Sequence, residues 1–74
     1  MQPVQVDGPT VRRLRAERLI NRAELSRRSG VSYPFLCDIE TGRKRASDIT
    51  AHKIANALGV SVERLAAAER TDVA

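Results

Sequence analysis

An all-α fold of five helices is what this 74-residue sequence predicts, and three observations predict it. Capping residues and glycines alternate along the chain: Asn21, Ser32, Ser47 and Ser61 stand where helices would open, and Gly30, Gly42 and Gly59 where they would close. Between them aliphatic side chains recur three or four residues apart, the spacing of a single helix face. Hydrophobic residues make up 42% of the chain, enough for one small core and far too little for a domain plus a separate catalytic module.

Residues 1–9 carry two prolines and a glycine without helical period and read as a flexible N-terminal arm. The first helix is expected from about Thr10 to Arg18, opened by Pro9-Thr10. Val11, Leu14 and then Leu19 face the core, and Arg12, Arg13 and Glu17 face water. Asn21 lies three residues before Glu24, the spacing of a capping box in which the asparagine oxygen accepts from the Glu24 amide while the glutamate reaches back. A second helix starts there, with Ala23 and Leu25 on its buried side and Arg27 and Arg28 on its wet side, and Gly30 ends it where a positive φ costs little. Ser32 caps the third helix. Pro34 falls in its first turn, where a missing N–H is no loss, and Leu36 and Ile39 mark the inward edge up to Thr41-Gly42. Ser47-Asp48 opens the fourth, with an acid at the positive end of the helix dipole, and Ala51, Ile54, Ala55 and Leu58 give it a core stripe that Gly59 closes. Ser61 caps a short fifth helix through about Ala68, returning Leu65 to the core. Residues 10–68 thus form the domain and 69–74 a frayed polar tail. A bundle of this size is held by only about 3–5 kcal/mol.

No window approaches the ~20 apolar residues of a membrane span. Residues 1–9 lack the charged and apolar regions of a secretion signal, so a cytoplasmic location is expected. Cys37 is the only cysteine and His52 the only histidine, which leaves no disulfide pair and no metal-ligand spacing. Cys37 as a catalytic nucleophile is the alternative to a small helix side chain, but no Asn or Asp can be tied to it together with His52. Paired carboxylates and a phosphate-cradling glycine loop are equally lacking, so neither an enzyme nor a cofactor is expected.

Charge is unevenly placed. Residues 12–45 hold ten Arg/Lys against four Asp/Glu, whereas residues 46–74 hold three against four. A charge run is usually only a solvated face. Here it coincides with two helices joined by a tight glycine turn and followed by Arg43-Lys44-Arg45, the layout that lets a second helix lie in the DNA major groove. The segments Leu14-Arg15, Ala23-Glu24-Leu25, Gly30-Val31-Ser32, Leu36-x-x-Ile39-Glu40-x-Gly42 and Ile54-Ala55-x-Ala57-Leu58-Gly59-Val60-Ser61 together resemble the helix-turn-helix domain of phage Cro proteins and repressors, the lambda-repressor-like or XRE family. Each segment alone is common in many folds; the set, spread from Val11 to Leu65, is specific. The resemblance implies a compact five-helix domain with the motif at helices 2 and 3. It also implies an ion pair of Arg15 with Glu40 that locks the first helix against the third.

With the helix over 33–41 in the major groove, Tyr33, Pro34, Cys37 and Asp38 are the expected base-reading residues. Tyr33 can donate, accept or stack on a thymine methyl, whereas Pro34 offers apolar contact only. Asp38 either accepts from a cytosine amino group or pairs with a nearby arginine such as Arg43, and both readings stand. Phe35, about a third of a turn away, is expected to pack inward. Phosphate contacts are expected from Asn21 and Arg22, from Ser32 at its helix N-terminus, and from Arg43, Lys44 and Arg45. Arg22 stands where the family often carries glutamine. The expected function is sequence-specific binding of double-stranded operator DNA by a bacterial or phage transcriptional regulator, most simply repression by occupancy. The alternative is an antitoxin or other protein-interaction module that binds a partner protein and autoregulates its own operator. Neither a membrane nor a small-molecule ligand is an expected partner. Relatives commonly bind as dimers on two half-sites. Without a heptad or a long apolar C-terminus, this sequence leaves monomer and homodimer open, a dimer formed only on DNA included.

Overall fold

Residues 6–66 are described by the computed structural model. They form α1 (Gly8–Glu17), α2 (Arg22–Ser29), α3 (Tyr33–Glu40), α4 (Asp48–Leu58) and a 3-10 turn, Val62–Leu65. The fold is all-α as expected, but the fifth helix is only this single turn among the described residues. Ser61 makes no side-chain cap bond there, and the chain is extended again by Ala66, which pairs antiparallel with Val6. Positions 67 and 68 of the expected helix, positions 1–5 of the arm and the tail 69–74 lie outside the described residues.

The first helix begins two residues before its expected start, because Asp7 is the cap. Its carboxylate accepts from the Thr10 amide at 3.2 Å and from the Thr10 hydroxyl at 2.5 Å. Gly8 and Pro9 occupy the first two helical positions, where proline is well tolerated. The end of the expected arm is therefore part of the fold. The Asp7 amide donates to the Leu65 carbonyl at 2.7 Å, beside the Val6–Ala66 bridge. Gly8 is buried against the last turn of α3. A Cβ there would lie 2.5 Å from the Ile39 carbonyl oxygen and closer still to that of Glu40.

All four α-helices end on a left-handed residue: Leu19 (φ 56°), Gly30 (φ 76°), Gly42 (φ 83°) and Gly59 (φ 73°). After α1 the Ile20 amide reaches back to the Arg15 carbonyl and the Leu19 amide to that of Ala16, both at 3.0 Å, the paired bonds of a Schellman motif. That reversal turns Ile20 into the core. It also carries Leu19, expected inside, out to 93% exposure. On α2 the buried residues are Leu25 and Ser29, one turn apart, while Ala23 is exposed rather than buried because it sits across the helix from Leu25.

Val11, Leu14, Ile20, Leu25, Val31, Leu36, Ile39, Ile54, Ala55, Leu58 and Leu65 form one continuous core, with Val6, Phe35 and Val60 packed at its margin. α2 packs on both α3 and α4, α1 on α3, and the 3-10 turn on α4. Among the described residues no helix is long and apolar enough to cross a membrane.

Candidate nucleic-acid interface

Eight residues make α3, and the local sequence explains its limits. The Ser32 hydroxyl caps it by accepting from the Phe35 amide at 3.3 Å, Pro34 lies in the first turn, and Thr41-Gly42 stops it. Leu36, Ile39 and Glu40 are its buried side. At about 100° per residue, positions 33, 34, 37, 38 and 41 share the opposite side. There Tyr33 is 47% exposed, Pro34 and Thr41 are exposed, and Cys37 and Asp38 are half-buried. Phe35 is half-buried against the core, as expected.

Glu40 anchors this helix from beneath. Its side chain is only 1% exposed and is held by two guanidinium groups. Arg15 donates from Nε to Oε2 at 2.9 Å and from Nη2 to Oε1 at 3.0 Å, and its Nη1 reaches the Ile20 carbonyl at 3.2 Å. The Arg15–Glu40 ion pair is thus present, joining α1 to α3. Arg22 adds bonds from Nη2 and Nε to Oε1 at 2.9 and 3.3 Å, while its Nη1 donates to Cys37 Sγ at 3.1 Å. The Glu40 hydrogen bond raises the Arg22 pKa above the ordinary arginine value, outweighing the opposite effect of desolvation. Two of the side chains expected at DNA are engaged within the domain. Arg22 is turned inward to a buried carboxylate instead of being free for phosphate, and the Cys37 thiol accepts from Arg22 rather than pointing freely at a base.

Beyond α3, Arg43 and Arg45 are exposed and form no ion pair among the described residues. The helix stop folds the Arg43 and Lys44 amides back to the Asp38 carbonyl, at 2.8 and 3.2 Å. This brings Lys44, and not Arg43, to the Asp38 carboxylate at 3.7 Å, with the Lys44 ammonium 5.9 Å from the Phe35 ring centre. Lys44 is therefore partly engaged, which leaves Arg43 and Arg45 as the free cations of the loop. Asn21 is exposed, and its side-chain oxygen accepts from the Glu24 amide at 2.8 Å. The reciprocal half of the expected box is replaced. The Glu24 carboxylate accepts from Arg28 Nε at 2.8 Å and from Arg27. These bonds lower its pKa below the ordinary glutamate value, the Arg28 bond most.

Over residues 11–65 the chain matches the family model described as helix-turn-helix. It belongs to the Cro and repressor type of that family. An uncharacterized HTH-type transcriptional regulator of Sinorhizobium fredii (strain NBRC 101917 / NGR234), y4dJ, is 41% identical over 54 residues, covering 73% of this chain and 70% of its own. Two solved structures superimpose well. The restriction-modification controller protein C.AhdI from Aeromonas hydrophila has a TM-score of 0.77 at 26% identity, over 78% of this chain and 88% of that one. SinR, the master regulator for biofilm formation, in complex with DNA, has a TM-score of 0.75 at 29% identity, over 78% and 94%.

In this helix-turn-helix domain the turn is Gly30 to Ser32, between α2 and α3, and Ser26 Oγ fastens it by donating to the Val31 carbonyl at 2.6 Å. The outer side of the second motif helix includes one residue that reading the sequence missed. Thr41 lies one turn past Cys37 and is exposed, its hydroxyl donating to the Cys37 carbonyl at 2.8 Å. The same four-residue step that relates Tyr33 to Cys37 was the available signal. His52 stands on the exposed side of α4 with Nδ1 2.8 Å from the Asp48 carbonyl oxygen, and no trio of His, Cys, Asp or Glu among the described residues is arranged to hold a metal.

Proposed function

We propose that this domain is a sequence-specific DNA-binding regulator that lays α3 in the major groove of a duplex operator and represses by occupying it. One observation carries the reading. The outer side of α3, from Tyr33 to Thr41, is uncovered while its inner side is fixed by Leu36, Ile39 and the doubly paired Glu40, and two uncommitted arginines, Arg43 and Arg45, follow at its end. A helix so presented offers side chains to base edges, and exposed cations beside it release counterions from phosphates. The SinR–DNA structure, similar over 78% of this chain, supports the same use of the fold. Tyr33 and Pro34 then read base edges and thymine methyl groups, and Asp38 accepts from a cytosine amino group once Lys44 turns to a phosphate. Ser32 and Asn21 meet phosphates through helix N-termini, where backbone amides face outward.

Selection of bound sites from random duplexes, followed by titration at several salt concentrations, tests this. Arg43→Ala and Arg45→Ala are expected to weaken binding to every sequence and to lower the slope of log K against log salt by about one unit each. Tyr33→Ala and Asp38→Ala are expected to change which site is preferred. Equal effects of both classes on selected and random DNA, or no preference for any duplex, would overturn the proposal. The selected sites also report assembly: two half-sites about 10 bp apart mark a homodimer, a lone half-site a monomer.

A further inference from the structure

We infer that Lys44 is a base-gated phosphate contact: it stays on the Asp38 carboxylate over a carbonyl-edged base and is released to the DNA backbone where Asp38 meets an exocyclic amino group. The inference rests on the DNA-binding reading above and deepens it, because it couples the choice of base to the grip on the backbone.

Three cations follow α3, and one of them is held. Arg43 and Arg45 are exposed and form no ion pair among the described residues. The Lys44 ammonium, in contrast, lies 3.7 Å from Asp38 Oδ2 and 5.9 Å from the Phe35 ring centre, and the Lys44 amide donates to the Asp38 carbonyl at 3.2 Å. Residues 35 and 38 are neighbours one turn apart, so the ammonium spans a ring and a carboxylate of α3 itself. The hold is breakable. A separation of 3.7 Å exceeds that of a charge-assisted hydrogen bond, and the lysine side chain is 61% exposed, a setting in which an ion pair contributes little.

Asp38 is more confined, with a side chain 28% exposed on the outer side of α3. An ionised carboxylate only accepts hydrogen bonds. Taken out of water in the major groove, among phosphates, it needs either a cation or a donor. Cytosine N4 and adenine N6 are donors on that edge, whereas guanine and thymine present oxygen acceptors there. Opposite a carbonyl, Asp38 therefore retains Lys44. Opposite an amino group the base satisfies the carboxylate, and the flexible lysine stem is free to carry its charge to a phosphate. The number of phosphates neutralised then depends on the base that is read.

The test uses the selected duplex with cytosine at the base pair whose preference Asp38→Ala alters, and the same duplex with C·G→T·A there, which puts a carbonyl in place of that amino group. Affinities are measured at several salt concentrations for the parent, Lys44→Gln and Asp38→Asn. For the parent, the slope of log K against log salt is expected to be steeper on the cytosine duplex by about one unit, so that the preference for cytosine falls about three- to fourfold between roughly 50 and 200 mM salt. Lys44→Gln is expected to lose that unit on the cytosine duplex alone. Asp38→Asn is expected to gain it on the thymine duplex, since its lysine is free on both.

Equal parent slopes on the two duplexes overturn the inference. So does a loss in Lys44→Gln on both duplexes, which marks an ordinary phosphate contact, or on neither, which leaves Lys44 fixed on Asp38. A parent that prefers no duplex removes the proposed function and this inference together. A parent that selects a site at which Asp38→Ala changes no preference removes this inference alone.

Discussion

Replacing Glu40 by alanine tests the energetic keystone of the domain. Its carboxylate accepts four bonds of 2.9–3.3 Å from Arg15 and Arg22, and its side chain is 1% exposed. Removing one partner from a buried ion pair typically costs about 3–5 kcal/mol, because the remaining charge is left desolvated. Here the two survivors differ. Arg22, 26% exposed, swings toward water and recovers part of its hydration, whereas Arg15, 14% exposed, keeps only its bond to the Ile20 carbonyl. The lower end, about 3 kcal/mol, is therefore expected, which for a domain of this size is a fall in the thermal midpoint of about 12–24 °C. Total stability is itself only about 3–5 kcal/mol, so Glu40→Ala should keep only about 0–2 kcal/mol at room temperature, from half unfolded to almost fully folded. Urea and thermal unfolding followed by helical circular dichroism measure this. A triple variant, Arg15→Met, Arg22→Met and Glu40→Leu, separates orphaned charge from lost packing, and it should recover most of the loss. Equal midpoints for Glu40→Ala and the parent would refute the reasoning.

Three further outcomes are expected. Gly8→Ala should destabilise by about 1–3 kcal/mol, because the added carbon meets the backbone of Ile39 and Glu40 and α1 must move off α3; helix propensity alone predicts the opposite sign, so a raised thermal midpoint would refute the close packing. Leu19→Gly should stabilise by about 1 kcal/mol, since a 93% exposed leucine at φ 56° contributes little burial and carries the left-handed cost; a lower urea midpoint would contradict this. The depressed pKa of Glu24 means that its pairing with Arg28 and Arg27 stabilises the fold at neutral pH. That contribution is fully present above the unfolded glutamate pKa and lost as pH falls through the lower folded value. Glu24→Gln should therefore flatten the acid limb of a stability–pH profile there, and less so at high salt.

Much of the fold was legible because its signals are local. Asn21, Ser32 and Ser47 each accept from the amide three residues on, and the glycine stops after α2, α3 and α4 fall where the hydrophobic spacing ends. What escaped depends on partners distant in sequence. A Gly-Pro pair in 1–9 reads as loose chain, and only the approach of α3 shows that Gly8 is a packing residue; the Asp7 cap three residues before Thr10 was a readable signal that composition outweighed. Leu19 escaped because apolar character predicts burial, while the Schellman bonds after α1 decide orientation at that step. Arg22 escaped for a related reason. A long side chain at a helix start can turn either way, and the carboxylate that draws it in lies 18 residues further on. The Arg15–Glu40 pair was available only through family resemblance, since a separation of 25 residues carries no local pattern.

These corrections bear on how an eight-residue helix comes to be held in one orientation. A helix as short as α3 is not stable alone, and its buried side offers only two aliphatic residues, Leu36 and Ile39. Its C-terminal half is overdetermined. Glu40 is gripped by two arginines, Gly8 presses on the Ile39 and Glu40 carbonyls, and the Asp38 carbonyl accepts the amides of Arg43 and Lys44. The N-terminal turn, which carries Tyr33 and Pro34, has the Ser32 cap, the half-buried Phe35 ring and the Arg22 guanidinium. Of these, Arg22 alone connects that turn to the buried charge beneath the other end. Two arginines on one carboxylate are a poor investment in stability compared with apolar packing of equal volume. They do fix the helix by directional bonds at Glu40 and Cys37, with the Arg22 guanidinium 5.8 Å from the Tyr33 ring at the other end, and a fixed direction is what the proposed match to base edges requires.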